Sequence, residues 1–169
     1  MNTRLFRALM PLMLMLVMVS CSSDSTEESI PLSTSTAAAL KEYNYNAEEL
    51  ELVDLINTYR QDRGLNPLNT INHISYKSEE HDEYMIANNV VNHDLFEERA
   101  QNIISVLGAV KVNENIAYNY ATPASVLNAW LESPAHKANI EGDFTDFGIS
   151  IRTDAETGKK YYTNIFIKK

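Results

Sequence analysis

The sequence predicts an α+β layered domain, and three patterns carry that expectation. Apolar residues recur at helical spacing through residues 47–107. Alternating runs mark strands near 112–120, 146–153 and 160–167, and two Ser/Thr-Pro pairs open helices before the last two of them. Helices first, then strands with helices between, is the order of a layered domain rather than of a repeated βαβ unit.

The first helix begins at Ala47, where Leu52, Ile56 and Tyr59 fall on one stripe that Val53 and Leu55 widen. It stops near Gly64, and Asn66-Pro67 enforces an extended exit. A second helix is expected from Asn72 to Asn89. Ser78, His81 and Met85 share one of its faces, so His81 reads as core packing with a hydrogen bond. Glu79, Glu80, Asp82 and Glu83 crowd the other side and read as a solvated face. Residues 94–107, with Leu95, Phe96, Ile103, Ile104, Val106 and Leu107, suggest a further short helix. Val112 to Tyr120 alternates as a strand does. Thr122-Pro123 then supplies an N-cap followed by proline at the first helical position, opening a helix to about Glu132. Ser133-Pro134 repeats the device for a helix to about Ile140. Two strands, Asp146–Thr153 and Lys160–Ile167, finish the chain, and the polar segment Asp154–Gly158 is their hairpin connection. Trp130, Tyr118, Phe147 and Phe166 read as core.

The N-terminus is an address. Arg4 and Arg7 precede an apolar run from Leu9 to Val19, the layout of a secretory signal peptide over residues 1–20. The run is shorter than the roughly 20 apolar residues a bilayer-spanning helix needs. Cys21, the only cysteine, follows directly, and its position is similar to a bacterial lipoprotein cleavage site, with Met18 where leucine is usual. From Ser22 to Thr36, nine of fifteen residues are Ser or Thr, joined by acids and no base; such a segment cannot bury enough apolar surface to order itself. Residues 21–46 are therefore expected to be a lipidated cysteine and flexible tether, with Ala37 to Tyr45 open as tether or lead-in to the domain, and 47–169 the folded domain. Lipidation at Cys21 makes the membrane a partner, and the acidic stretch behind it favours an exported lipoprotein of the outer membrane or cell surface.

Charge and cysteine count exclude two classes. The net charge of −9, made more negative by removing Arg4 and Arg7, argues against nucleic acid, which requires clustered Lys and Arg. One cysteine cannot form an internal disulfide. The metalloprotease, nucleophile-elbow, phosphate-loop and dinucleotide motifs are all missing. One detail is sharper. Glu114 shares the alternation phase of Val112, Ile116 and Tyr118, which puts a carboxylate on an apolar strand face, where it is expensive unless paired. A break in phase at Asn113 would instead turn it to water.

The order of segments resembles the bacterial branch of the CAP superfamily, the cysteine-rich secretory protein, antigen 5 and pathogenesis-related-1 group. The resemblance runs from about Ala47 to the C-terminus. It rests on VDLINTYRQDRG at Val53–Gly64, His81 with Met85, Asn92-His93, NENIA at Asn113–Ala117, AWLESPAHKANI at Ala129–Ile140, and the closing DFGISI and YYTNIFI. It implies a three-layer α-β-α sandwich around a central, mostly antiparallel sheet. It also implies a cleft in which His93, Glu114 and His136 converge and can take Zn²⁺ or another divalent metal. Asn113 replaces the usual glycine. The position of the second family glutamate is Ser133, and Glu132 beside it is a doubtful substitute because one helical step turns a side chain by about 100°. His136 lies in the first turn of its helix, where the positive dipole end favours neutral imidazole. Ser133 before proline reads as a cap rather than a nucleophile.

Three functions remain. The leading one is a lipid-anchored extracytoplasmic binding module with a His/Glu cleft able to hold a metal. The others are a metal-assisted hydrolase of cell-envelope or extracellular peptide or glycan, with Glu114 as candidate base, and a carrier of small apolar ligands.

Overall fold

The computed structural model describes residues 40–169. The expected signal segment 1–20, Cys21 and the tether up to residue 39 lie outside the described residues. The domain begins earlier than residue 47. Tyr43 is buried, and Tyr45 packs on the core while its hydroxyl meets Ser75 Oγ at 2.8 Å. An aromatic pair in edge contact explains why this stretch joins the domain rather than the tether.

The described residues form nine elements: α1 (Ala47–Asp62), β1 (Asn69–Thr70), α2 (Asn72–Asn88), α3 (Phe96–Leu107), β2 (Lys111–Tyr118), α4 (Pro123–Glu132), α5 (Pro134–Ile140), β3 (Asp146–Thr153) and β4 (Lys160–Lys168). The sheet order is β1-β3-β4-β2, antiparallel except for the parallel β1–β3 pairing. Only β1 has no sequence signal, since two residues cannot show an alternation.

Helices cover both faces of the sheet, giving the three-layer α-β-α sandwich. On one face Leu52, Ile56, Val126, Trp130 and Ile140 pack on Phe147, Ile149, Tyr162 and Phe166. On the other, Ile74 and Ile103 pack on Ile165 and Ile167, and Met85 on Ile116 and Tyr161. Both faces of the strands are therefore buried, so β2 does not have the polar, solvated side that alternation suggests. Asn115 is fully buried opposite Glu114. Helix α2 lies close over β3 because Gly148 has no side chain: a Cβ there would stand 2.3 Å from the Ser75 backbone nitrogen.

Helix side chains close the sheet edges, where unpaired backbone groups would otherwise be orphaned. On the β3 edge beyond β1, Ile149 N donates to Ser75 Oγ and Ile151 N to Glu49 Oε1, each at 2.9 Å. On the β2 edge the Ile116 carbonyl accepts from Trp130 Nε1 at 2.9 Å. Glu49 also completes the α1 capping box with Asn46 and accepts from Tyr43 and Arg152, so one buried acid fixes the start of α1 against β3. Arg60, at the other end of α1, donates to the carbonyls of Asn66, Ile140 and Gly142, tying α1 to the end of α5.

Two local expectations need correction. Asp82 is not on a solvated face. It is fully buried, accepts from Thr163 Oγ1 at 2.6 Å, and burial pushes its carboxyl well above the usual range. Helix periodicity puts it beside His81, but the run of neighbouring acids masked that. Ser133 occupies the N-cap position of α5 without a side-chain capping bond, whereas Thr122 caps α4 through Ser125 N.

His81 behaves as expected: it is buried, with Nε2 donating to the Asn92 carbonyl at 2.9 Å. That bond ties α2 to the loop after it. Burial pushes its imidazole below the usual value; the Glu114 carboxylate opposes this and the Arg99 charge adds to it. The unfolded chain therefore takes up a proton at position 81 before the folded one does. His81 contributes its full stability above the ordinary histidine value of about 6.5 and loses it as pH falls below that. Buried Asp82 acts with the opposite sign in acid, so the comparison must be with a variant. Denaturant unfolding should show the stability gap between wild type and His81→Gln narrowing from about pH 7.5 to about pH 5. A gap constant across that range would contradict this role.

Candidate functional site

Glu114 reaches the site from β2 with its side chain 1% exposed. Strand phase places it on the α2/α3 face with Ile116, as the alternation predicts. The charge is met from α3: Arg99 donates through Nε to Oε2 at 3.0 Å and through Nη2 to both oxygens at 2.8 and 2.9 Å. A bidentate guanidinium–carboxylate pair of this kind is the geometry that makes burial of both charges tolerable.

Sequence reasoning missed Arg99, although a signal existed. Arg99, Ala100 and Ile103 are the buried residues of α3, so a base stands on that helix's apolar stripe just as an acid stands on the apolar face of β2. Two opposite charges out of place on adjacent apolar surfaces point to each other.

His93 lies in the loop between α2 and α3. Its Nδ1 is 2.8 Å from Glu114 Oε1, and its side chain remains 49% exposed. Since the carboxylate accepts, Nδ1 carries the proton and Nε2 is the bare nitrogen when the ring is neutral. The loop is tied on all sides. Arg99 Nη1 donates to the Asp94 carbonyl at 2.7 Å, Tyr84 donates to Asp94 Oδ2, and His81 holds the Asn92 carbonyl. Arg99 thus fixes both the carboxylate and the loop that carries its histidine partner.

His136 stands in the first turn of α5, as expected. Burial lowers its pKa, and His93 acts in the same direction. Three asparagines pin this helix to β2. Asn113 donates to Asn139 Oδ1, Asn139 donates to Asn115 Oδ1, and Asn115 donates to the His136 carbonyl. Asn113, which stands where the family has glycine, is therefore part of the mounting. Ser133 and His136 line one cavity of about 290 Å³ with Tyr118, Tyr120 and Trp130. No hydrogen bond joins Ser133 to His136 among the described residues. Glu132 is exposed and makes no bond to the cluster.

The chemistry of the donor set decides what these residues can hold. Both oxygens of Glu114 are engaged, and an ion bound to them would sit against the Arg99 guanidinium. His93 and His136 alone offer two nitrogens, fewer than the three protein ligands of a catalytic zinc site. Among the described residues no three His, Cys, Asp or Glu side chains are grouped to hold an ion. His93, Glu114 and His136 as arranged are thus not a three-ligand metal site. The buried Glu114 is equally unable to meet a substrate as a base. It orients His93, which is the group open to solvent.

Comparison with known proteins agrees with this architecture. The family model described as CAP, the cysteine-rich secretory protein family, matches residues 53–166. An uncharacterized membrane protein of Bacillus subtilis, YlbC, is 30% identical over 133 residues, 73% of this chain; the chain spans 35% of that protein's length. An outer surface protein of Borrelia burgdorferi has the same fold, with a TM-score of 0.67 at 20% identity over 76% of this chain and 98% of that one. An extracellular SCP-domain protein of Bacillus anthracis aligns with a TM-score of 0.64 at 25% identity, over 72% of this chain and 40% of that one. With a bacterial SCP-like sandwich and a family match across most of the described domain, the chain belongs to the CAP family of cysteine-rich secretory proteins.

Proposed function

We propose that this chain is a lipid-anchored, extracytoplasmic CAP-domain binding module whose ligand seat is the cleft at His93 and His136 with its adjoining cavity. One observation carries the reading. Glu114, paired with Arg99, holds His93 Nδ1 at 2.8 Å with the ring half open to solvent, while among the described residues neither histidine is hydrogen-bonded to a nucleophile. His93 presents an acceptor nitrogen to solvent, and His136 lines the cavity walled by Tyr118, Tyr120 and Trp130; an acceptor nitrogen and aromatic surface suit recognition of a polar ligand with an apolar face. Catalysis would require a group to attack or a bound ion, and the donor set favours neither.

The location rests on the sequence. A charged-then-apolar leader followed by Cys21 supports export and lipidation, and the Bacillus anthracis neighbour is described as extracellular. A multiply acylated cysteine supplies the two membrane signals that stable anchoring needs. Among the described residues no helix is long and apolar enough to cross a membrane.

Two measurements test the proposal. Soluble peptidoglycan fragments added to the full-length chain should perturb the resonances of His93, Tyr118 and His136, while mass spectrometry finds the fragments intact. New fragments that disappear with His93→Ala would overturn the reading in favour of a hydrolase. Cys21→Ser should move the protein from the membrane fraction to the soluble one; retention in the membrane fraction would remove the anchor.

A further inference from the structure

Strand β2 ends the sheet, so half of its backbone groups point away from β4. Asn119 N donates to the Lys160 carbonyl at 2.7 Å, which sets the phase. Odd-numbered residues bond β4, and even-numbered ones turn their N–H and C=O outward. Side chains close two of those outward groups: Asn139 Nδ2 reaches the Glu114 carbonyl at 3.3 Å, and Trp130 Nε1 takes the Ile116 carbonyl at 2.9 Å. Next to them the edge is open. Ile116 N and both Tyr118 N and Tyr118 O have no hydrogen-bond partner among the described residues. Unpaired edge groups of this kind are a template for a further strand. The open stretch stops after Tyr118, because Asn119 turns into left-handed backbone at φ 62°.

The same stretch is where the cavity of about 290 Å³ meets the strand. Ile116 and Tyr118 turn their side chains to the α2/α3 face, with Met85 and Tyr161, whereas Ala117 and Trp130 belong to the opposite face. All four of Ile116, Ala117, Tyr118 and Trp130 line the cavity, so it opens on the strand edge. Its walls hold no carboxylate, lysine or arginine; the polar groups among them include the His136 ring and the uncapped Ser133 hydroxyl. An uncharged occupant matches such walls, since a charge would be buried without a counter-charge.

Pairing rules fix how a strand lies on this edge. An antiparallel residue opposite Tyr118 exchanges two hydrogen bonds with it, and the carbonyl two residues later accepts from Ile116 N. The N–H at that later position is left to solvent, because Trp130 already holds the Ile116 carbonyl. Residues opposite Tyr118 and Ile116 share their face, which is that of Glu114 and its partner His93. The residue between them points the other way, into the cavity beside Trp130 and His136.

We propose that the ligand of the cleft is an uncharged, extended peptide segment of another chain, added antiparallel to β2 at Ile116 and Tyr118 with its middle side chain in the cavity. This rests on the reading of the cleft as a ligand seat and names what the seat takes. Main-chain hydrogen bonds supply affinity, and the cavity selects the middle side chain. An apolar body with a polar tip, as in tyrosine, suits aromatic walls that carry an imidazole and a hydroxyl.

The test is a titration of the isotope-labelled full-length chain, in detergent, with acetyl-Val-Tyr-Val-methylamide and with its forms N-methylated at either valine. Saturable shifts at Ile116, Tyr118 and Trp130 are expected, with slowed hydrogen exchange of the Ile116 and Tyr118 amides. N-methylation of the first valine removes the donor to Tyr118 O and should weaken binding about tenfold. N-methylation of the second valine, opposite the occupied Ile116 carbonyl, should change it little. Tyr118→Pro removes an edge donor and should abolish binding, while Tyr118→Val, which keeps the N–H, should retain it. If Tyr118→Pro does not fold, the two N-methylated peptides decide. Equal affinity for both of them would overturn strand addition. Peptidoglycan fragments that perturb His93 and His136 where the tripeptide gives no shifts would overturn this proposal and leave the ligand seat standing. No shifts with either probe would overturn both.

Discussion

A carboxylate buried in a sheet must be neutralised, and the setting of His93 follows from how Glu114 is. Arg99 meets it from α3 with a bidentate pair, and His93 takes the remaining capacity of Oε1. These bonds fix three things together: the seat of α3 on β2, the path of the loop between α2 and α3, and the orientation of an otherwise exposed imidazole. Breaking such a pair strands one charge in a poorly solvating place, which costs several times what an exposed ion pair contributes. The carboxylate's role is thus structural and positional, and the group presented to a ligand is the ring it holds.

The same logic runs through the rest of the domain, where sheet edges and helix ends are closed by side chains rather than by further strands. Ser75 and Glu49 close the β3 edge, Trp130 closes part of the β2 edge, and the asparagines at 113, 115 and 139 hold α5 against β2. Arg60 anchors the end of α5 from α1. With no disulfide available to a chain with one cysteine, polar side chains reaching between layers do the cross-linking. His136 stands in its place because a short helix is pinned at both ends in this way.

Most of the fold was legible in the sequence because the local signals agree with one another. Thr122-Pro123, the alternation after Val112 and the two closing runs each match the observed element to within a residue or two. The misses share a physical cause: they concern partners distant in sequence. Glu114 stood out as an acid in an apolar phase, but nothing local says that Arg99 answers it. Asp82 was hidden in a run of acids whose other members do reach solvent or bases. Strand β1 exists only because β3 has an edge to pair. The resemblance to the family singled out His93, Glu114 and His136. It could not show that in this chain the glutamate's oxygens are taken by an arginine, which changes the cluster from a ligand set to a mounted imidazole.

That change rests on the coupling between Arg99 and Glu114, and a double-mutant cycle measures it. Unfolding free energies would be determined for Arg99→Leu, Glu114→Leu and the double variant. Each single substitution leaves the other charge buried and should cost about 3–5 kcal/mol, while the double should cost far less than their sum. Losses that add to within about 0.5 kcal/mol would mean that the two charges do not depend on each other, and that His93 is held by something else.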